Sequence, residues 1–284
     1  MRTSYDVARL LVSLPRIVVK QRQAGRPKLV VRKPAARRHP DSWVDLEQCG
    51  ASRPYVKTFE FESPYIGGYH SKIANATTRS DVKFGVDLGL DGFLAHAEAL
   101  KVYELAYFGD GDFLELGTYR GLSTSIIARA LHDRQRGALY TCDISPRFSL
   151  VARIALRFLP GRDRVRFHVG DAAGFLDRMI GERRRFGFVF VDHWHGYDAT
   201  HAVGMRLSSL LLPGGFAMFH DYNDTSARDP AHPDKVFQAV RDTVGRSSSF
   251  QFCCVTASSA VFQFQPAAAL PTERTTSYHE LSVR

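Results

Sequence analysis

An α/β fold built on a doubly wound, mostly parallel sheet is what this chain predicts, and three observations carry the prediction. Strand-like and helix-like stretches alternate with a regular beat from Phe113 onward. A glycine turn joins the first of these strands directly to a helix. Acidic residues then recur at the ends of successive strands. Alternation of this kind implies parallel strands with helices on both faces, and the carboxyl edge of such a sheet is where ligands bind.

Taken in order, residues 1–48 read as a basic leader. Residues 1–40 hold eleven Lys and Arg against the single acid Asp6, a local charge of +10 within a total of +9, so the remainder is close to neutral. The high pI therefore describes a tail, and a nucleic-acid groove is not expected. The stretch from Tyr5 to Lys20 can form a short amphipathic helix with Leu10, Leu11, Leu14, Ile17 and Val18 on one side. Such an arm suits either an anionic membrane surface or partner, or plain solvent. Residues 49–109 form a cap segment, aromatic at Tyr55, Phe59, Phe61, Tyr65 and Tyr69, with a helical stretch over 92–108. There Ala95, Ala99, Val102 and Ala106 recur at helical spacing.

The core, 110–266, reads as five strand–helix repeats. Strands are expected at 113–117, 138–143, 165–170, 187–192 and 214–220. Helices are expected at 121–133, 147–158, 172–181, 198–211 and 233–244. The runs at 250–256 and 260–265, separated by Ala257, Ser258 and Ser259, predict an antiparallel hairpin at the sheet edge. Residues 267–284 read as a polar tail. Cys49, Cys142, Cys253 and Cys254 show no CxxC spacing and read as reduced core thiols. No apolar run approaches the roughly 20 residues of a membrane span, and a cytoplasmic setting, at most membrane-peripheral, is the expectation.

The glycine turn is Gly117-Thr-Tyr-Arg-Gly121. A dinucleotide site wants G-x-G-x-x-G, whose middle glycine admits a pyrophosphate, and Tyr119 stands where that glycine would fall. This argues against a nicotinamide-dependent oxidoreductase. A ligand with an amino-acid end fits better, with Glu115 beneath the turn and the helix-start amides near Ser123 and Thr124. Asp143 closes the second strand, where an acid can accept ribose hydroxyls. Asp171, followed by Ala172, closes the third within reach of an adenine edge. Each acid can instead cap the following helix, but three in register favour one ligand.

Glu115-Leu-Gly-Thr-Tyr-Arg-Gly121, Asp143, Gly170-Asp171-Ala172 and Leu212-Pro-Gly-Gly215 resemble the ordered motifs of class I S-adenosylmethionine-dependent methyltransferases, over residues 90–265. The resemblance implies a Rossmann-like seven-stranded sheet with S-adenosylmethionine across the first two strand ends. Tyr119 departs from the second glycine often seen in the first motif, a change found in small-molecule O-methyltransferase branches. Asp192-His-Trp-His195-Gly-Tyr197 resembles the D-x-x-H-x-Y of metal-dependent sugar O-methyltransferases, the macrocin O-methyltransferase-like group, and His220-Asp221-Tyr-Asn223 resembles their second acidic site.

The resemblance implies that Asp192, which also borders the cofactor, shares one cation with Asp221, His220 and Asn223, and that His195 is the base. Carboxylates, an amide and waters suit Mg²⁺. Relatives often carry an acid where His220 stands, and an imidazole there opens the site to Mn²⁺ or Zn²⁺, or to no metal. A small hydroxylated acceptor, such as a sugar or glycosylated metabolite, and a homo-oligomer are expected. The competing readings are a non-catalytic binding protein that keeps the fold, an NAD(P)-dependent oxidoreductase, and a nucleic-acid methyltransferase.

Overall fold

In the computed structural model, residues 49–50, 53–81 and 85–266 are described, together with the backbone of Val30–Val31. Apart from Val30–Val31, the basic leader with its amphipathic helix lies outside the described residues, as does the tail after 266. Val30–Val31 pairs antiparallel with Phe59–Glu60.

The core is one seven-stranded sheet. Its strands are β1 (Asp112–Leu116), β2 (Leu139–Asp143), β3 (Val165–Val169), β4 (Phe186–Val191), β5 (Leu211–Phe219), β6 (Phe250–Thr256) and β7 (Ser259–Phe264). The order across the sheet is β3-β2-β1-β4-β5-β7-β6; β7 alone runs antiparallel to the rest, pairing antiparallel with both β5 and β6. Order reverses between β1 and β4, and such a switch point opens a crevice at the carboxyl edge. The helices are α1 (Gly68–Ala74), α2 (His96–Phe108), α3 (Leu122–Arg134), α4 (Pro146–Leu156), α5 (Ala172–Gly181), α6 (Tyr197–Gly204) and α7 (Val236–Asp242). Among the described residues, no helix is long and apolar enough to cross a membrane.

Two hydrophobic layers hold the sheet, and the strand period of two sorts residues between them. Leu114, Leu116, Val189, Val191, Ala217 and Phe219 face a layer that includes Phe175, Leu176, Val203 and Val240 from α5, α6 and α7. Phe113, Phe188, Phe190, Phe216 and Met218 face the opposite layer, built with Val102, Leu105, Ile126 and Leu131 from α2 and α3. Strand β4 is buried at all six positions, as a central parallel strand must be.

Local chemistry sets the helix starts. Ser145 caps α4, accepting from Phe148 N at 3.3 Å, with Pro146 at its first position. Three boundaries differ clearly from expectation. The helix expected to reach 211 ends at Gly204, and a 3-10 turn at Leu207–Ser209 leads straight into β5. The strand begins early because Leu211 pairs with Phe186 while Phe216 pairs with Phe188. The Leu-Pro-Gly-Gly stretch between them is a bulge inside the strand. Likewise the helix expected from 92 begins only at His96, since Gly85 and Ala95 form an antiparallel bridge first.

Candidate active site

The glycine turn is built by close approach. Gly117 has φ +96°, and a Cβ there would stand 1.8 Å from the Asp192 carbonyl oxygen. Only glycine lets β1 and β4 converge at this point. Tyr119 also has positive φ, 42°, an uncommon conformation for an aromatic residue. Its amide is held by Asp143, whose Oδ2 accepts from Tyr119 N at 2.7 Å while Oδ1 accepts from Ser145 N at 2.7 Å. Asp143 therefore braces the turn, with lone pairs left over for a ligand. The Tyr119 ring lies 4.7 Å from Phe148 and 5.8 Å from Phe93, centroid to centroid.

Beneath the turn, Glu115 is wholly buried. Its Oε2 accepts from Thr124 Oγ1 and Thr141 Oγ1, both at 2.6 Å, and Thr141 meets Thr118 at 2.5 Å. Oε1 has no hydrogen-bond partner among the described residues. Burial pushes the Glu115 carboxyl up to about 7, against the pull of the Ser123, Thr124 and Thr141 hydroxyls. A buried carboxyl with one open oxygen is suited to a cationic neighbour.

A cleft of about 270 Å³ opens at the carboxyl edge, lined by the turn (Gly117, Thr118, Tyr119), the start of α3 (Leu122, Ser123), the strand ends (Asp192, His195, His220, Asp221) and the cap segment (Asp91 to Leu94). Asp171 lies away from this lining. It caps α5, accepting from Gly174 N at 2.7 Å, with Ala172 the first residue of that helix. Thr124 serves Glu115 from below, and Gly121, at φ +96°, starts α3.

Next to the turn, β4 and β5 deliver four groups to one spot. Asp192 follows β4, its amide donating to Leu116 O at 2.8 Å, and His220 follows β5, its amide donating to Val191 O at 3.0 Å. His220 Nδ1 stands 3.0 Å from Asp192 Oδ1 and 3.3 Å from Asp221 Oδ1. The ring of His195 bridges the same carboxylates, Nε2 at 3.4 Å from Asp192 and Nδ1 at 3.4 Å from Asp221. Asp221 is held at φ 53°, and strain of this kind gathers at functional sites. Asn223, buried, turns Nδ2 toward Ala257 O at 3.4 Å and does not line the cleft.

Each charge in the cluster depends on its neighbours. Burial alone would raise Asp192 and Asp221, but the His220 and His195 rings outweigh it and hold both below the carboxylate range. Burial opposes charge on the two histidines, and the facing carboxylates still raise both. His193 behaves oppositely: burial pulls it down to about 4, aided by His195. His201 stacks on Tyr197 and is no part of the cluster.

Several contributors carry no motif. Glu98 on α2 reaches His220, Oε2 to Nε2 at 3.4 Å. Asp91 ties the cap to the turn through Arg120 at 2.7 Å and to Arg79 at 3.1 Å. Phe93 and Ile144 are exposed at 61% and 75%, large apolar surfaces beside the turn and just after Asp143. Of these, Ile144 alone had an advance signal, a large apolar side chain directly after Asp143. Of the cap aromatics, Tyr65 packs against His70 and Tyr69 against Tyr103.

Comparison with known proteins agrees with this geometry. Residues 114–222 match the family described as a methyltransferase domain. Catechol O-methyltransferase B of Danio rerio is 36% identical over 106 residues, 36% of this chain and 38% of the relative. The match thus spans less than half of that relative's length. Among solved structures, an O-methyltransferase from Bacillus cereus in complex with SAH superposes with TM-score 0.52 at 20% identity, over 61% of this chain and 82% of the other. The O-methyltransferase TomG from Streptomyces achromogenes, in complex with SAM, superposes with TM-score 0.52 at 24% identity, over 61% and 81%. These structures share the fold.

Proposed function

We propose that this chain, whose core carries a methyltransferase domain, is an S-adenosylmethionine-dependent O-methyltransferase that methylates a hydroxyl of a small acceptor, a sugar or glycosylated metabolite, with a divalent cation and His195 as the base. One observation carries the reading. The glycine turn and the Asp192, His195, His220, Asp221 cluster line the same cleft, so an electrophile held at the turn lies beside groups suited to activating an alcohol. S-adenosylmethionine supplies a methyl group on a positively charged sulfonium. Gly117, Tyr119, Gly121, Ser123 and Thr124 at the turn, with Asp143, Asp171 and Ala172 along the next strand ends, are the residues assigned to it. Glu115 beneath them supplies counter-charge.

The donor set suits a cation. Carboxylate oxygens of Asp192 and Asp221 lie 3.0 and 3.3 Å from His220 Nδ1, and these three residues would hold the ion; Asn223, assigned to it from the sequence, would have to turn its amide away from Ala257 O to join them. Bound there, it lowers the proton affinity of an acceptor hydroxyl. His195, a quarter exposed on its side chain, takes the proton on a ring nitrogen, and the imidazolium formed is stabilised by Asp192 and Asp221, each 3.4 Å away. The protein's remaining work is alignment of the two reactants. A cytoplasmic enzyme, a homo-oligomer and a leader that meets an anionic surface complete the reading, the last supported by the leader's charge.

A phenolic acceptor is a second reading, favoured by the exposed Phe93 ring beside Tyr119 and by the catechol O-methyltransferase relative. Assay of sugar and catechol acceptors side by side separates the two. Calorimetry with S-adenosylmethionine should give micromolar affinity, and His195→Ala should retain it while turnover falls 10²- to 10⁴-fold. Normal turnover in that variant removes His195 as the base; absence of S-adenosylmethionine binding removes the whole reading.

A further inference from the structure

We propose that the cluster at the ends of β4 and β5 is a histidine-containing centre for a borderline divalent transition ion, of the Zn²⁺ or Co²⁺ kind, and that Glu98 is the positioning residue that aims His220 into it. The inference rests on the cation-assisted reading above and deepens it by naming the ion class.

Three features support it. The first is donor type: Asp192, His195 and His220 bring ligand atoms within 4.8 Å of one another, and with His195 kept as the base, His220 is the nitrogen donor beside Asp192 and Asp221. Imidazole nitrogen suits borderline ions, whereas Mg²⁺ demands oxygen. The second is the state of His220. It is 6% exposed, and its Nδ1, 3.0 Å from Asp192 Oδ1, lies off the direction of a hydrogen bond. A buried nitrogen thus points into carboxylates without a directed partner. Its other nitrogen, Nε2, faces Glu98 Oε2 at 3.4 Å. A ligating histidine characteristically gives its second N–H to an outer carboxylate, which fixes its tautomer and direction.

The third is that Glu98 cannot turn away. Its Oε2 accepts from Ala95 N at 2.9 Å, closing the start of α2. Its Oε1 accepts from Ser258 N at 3.0 Å, Ser258 Oγ at 2.6 Å and Ser259 Oγ at 2.9 Å, at the tip of the β6–β7 hairpin. Ser258 Oγ also reaches Asp221 Oδ1 at 3.1 Å. One hairpin tip therefore steadies both an inner carboxylate and the outer one. His195, on the cleft side, remains the acid–base group.

The test uses the full chain stripped of metal, titrated separately with ZnCl₂ and MgCl₂ by calorimetry and with CoCl₂ by visible absorption. Zn²⁺ should bind at least 100-fold tighter than Mg²⁺, and Co²⁺ should show visible bands of nitrogen coordination that His220→Ala alters. Glu98→Gln should weaken Zn²⁺ 10- to 100-fold while S-adenosylmethionine affinity holds. If Glu98→Gln fails to fold, His220→Asp decides: the all-oxygen set should lose Zn²⁺ preference and gain Mg²⁺. Zn²⁺ affinity indifferent to both His220 substitutions, or no tighter than that of Mg²⁺, overturns the proposal. S-adenosylmethionine binding by the stripped protein is read in parallel, so loss of the ion class and loss of the methyltransferase reading are separate results.

Discussion

Glu115 shows how a single residue couples the fold to a ligand. Burial lifts its carboxyl from 4.5 to about 7, so the folded protein keeps a proton that the unfolded chain has released. Stability from this group is complete below 4.5 and is lost as pH rises through 7. A rise of that size corresponds to about 3 kcal/mol. Denaturant titrations at pH 4.5 and 7.5 should show this loss in the wild type, and Glu115→Gln should flatten it. A cationic ligand overhead should reduce the difference, since it stabilises the ionised form. The residue's place was legible: an acid ending an apolar strand before a glycine turn. That its Oε2 would be tied down by Thr124 and Thr141 was not, since Thr141 belongs to the neighbouring strand.

Among the elements, α2 does more than its periodicity suggests. The pattern of Ala95, Ala99, Val102 and Ala106 predicted a cap helix, and one face does pack on α3. Its polar residues were the unread part. Lys101 and Glu104 form a wholly buried pair at 2.5 Å. Glu104 Oε1 takes the amides of Thr58 at 2.6 Å and Phe59 at 2.9 Å, and Lys101 Nζ donates to Val56 O and Thr58 Oγ1. The pair therefore pins the aromatic segment before α1 to the core. Lys101→Met would leave an uncompensated buried carboxylate and should lower unfolding stability by about 3–5 kcal/mol, measured by chemical denaturation. Position 98 lies on the same helix. A glutamate three residues past Ala95 reads as an ordinary helix-start acid, and its link to His220 exists only because α2 lies across the end of β5.

For the molecule as a whole, two hydrophobic layers on one sheet leave a single open edge where the chain reverses strand order. Charge is partitioned in the same way, with the basic excess in the leader and a near-neutral body. Ligand binding at that edge should stabilise the entire fold by mass action. S-adenosylmethionine at about 100 times its dissociation constant should add about 2.7 kcal/mol, seen as a rise in melting temperature, and NADH should add nothing. A shift with NADH instead would return the oxidoreductase reading.

The sequence by itself determined the α/β class, the five repeats with their closing hairpin, and the strand-end acids, because apolar periodicity and glycine turns are properties of neighbouring residues. It could not determine that Leu212 to Gly215 bulge within β5, that Tyr119 and Asp221 adopt positive φ, or that Asp171 turns to its own helix. Tertiary structure alone decided that Glu98, Asp192, His195, His220 and Ser258 meet. Those residues span four separate parts of the chain, and only the order of strands in the sheet brings their side chains within a few ångströms.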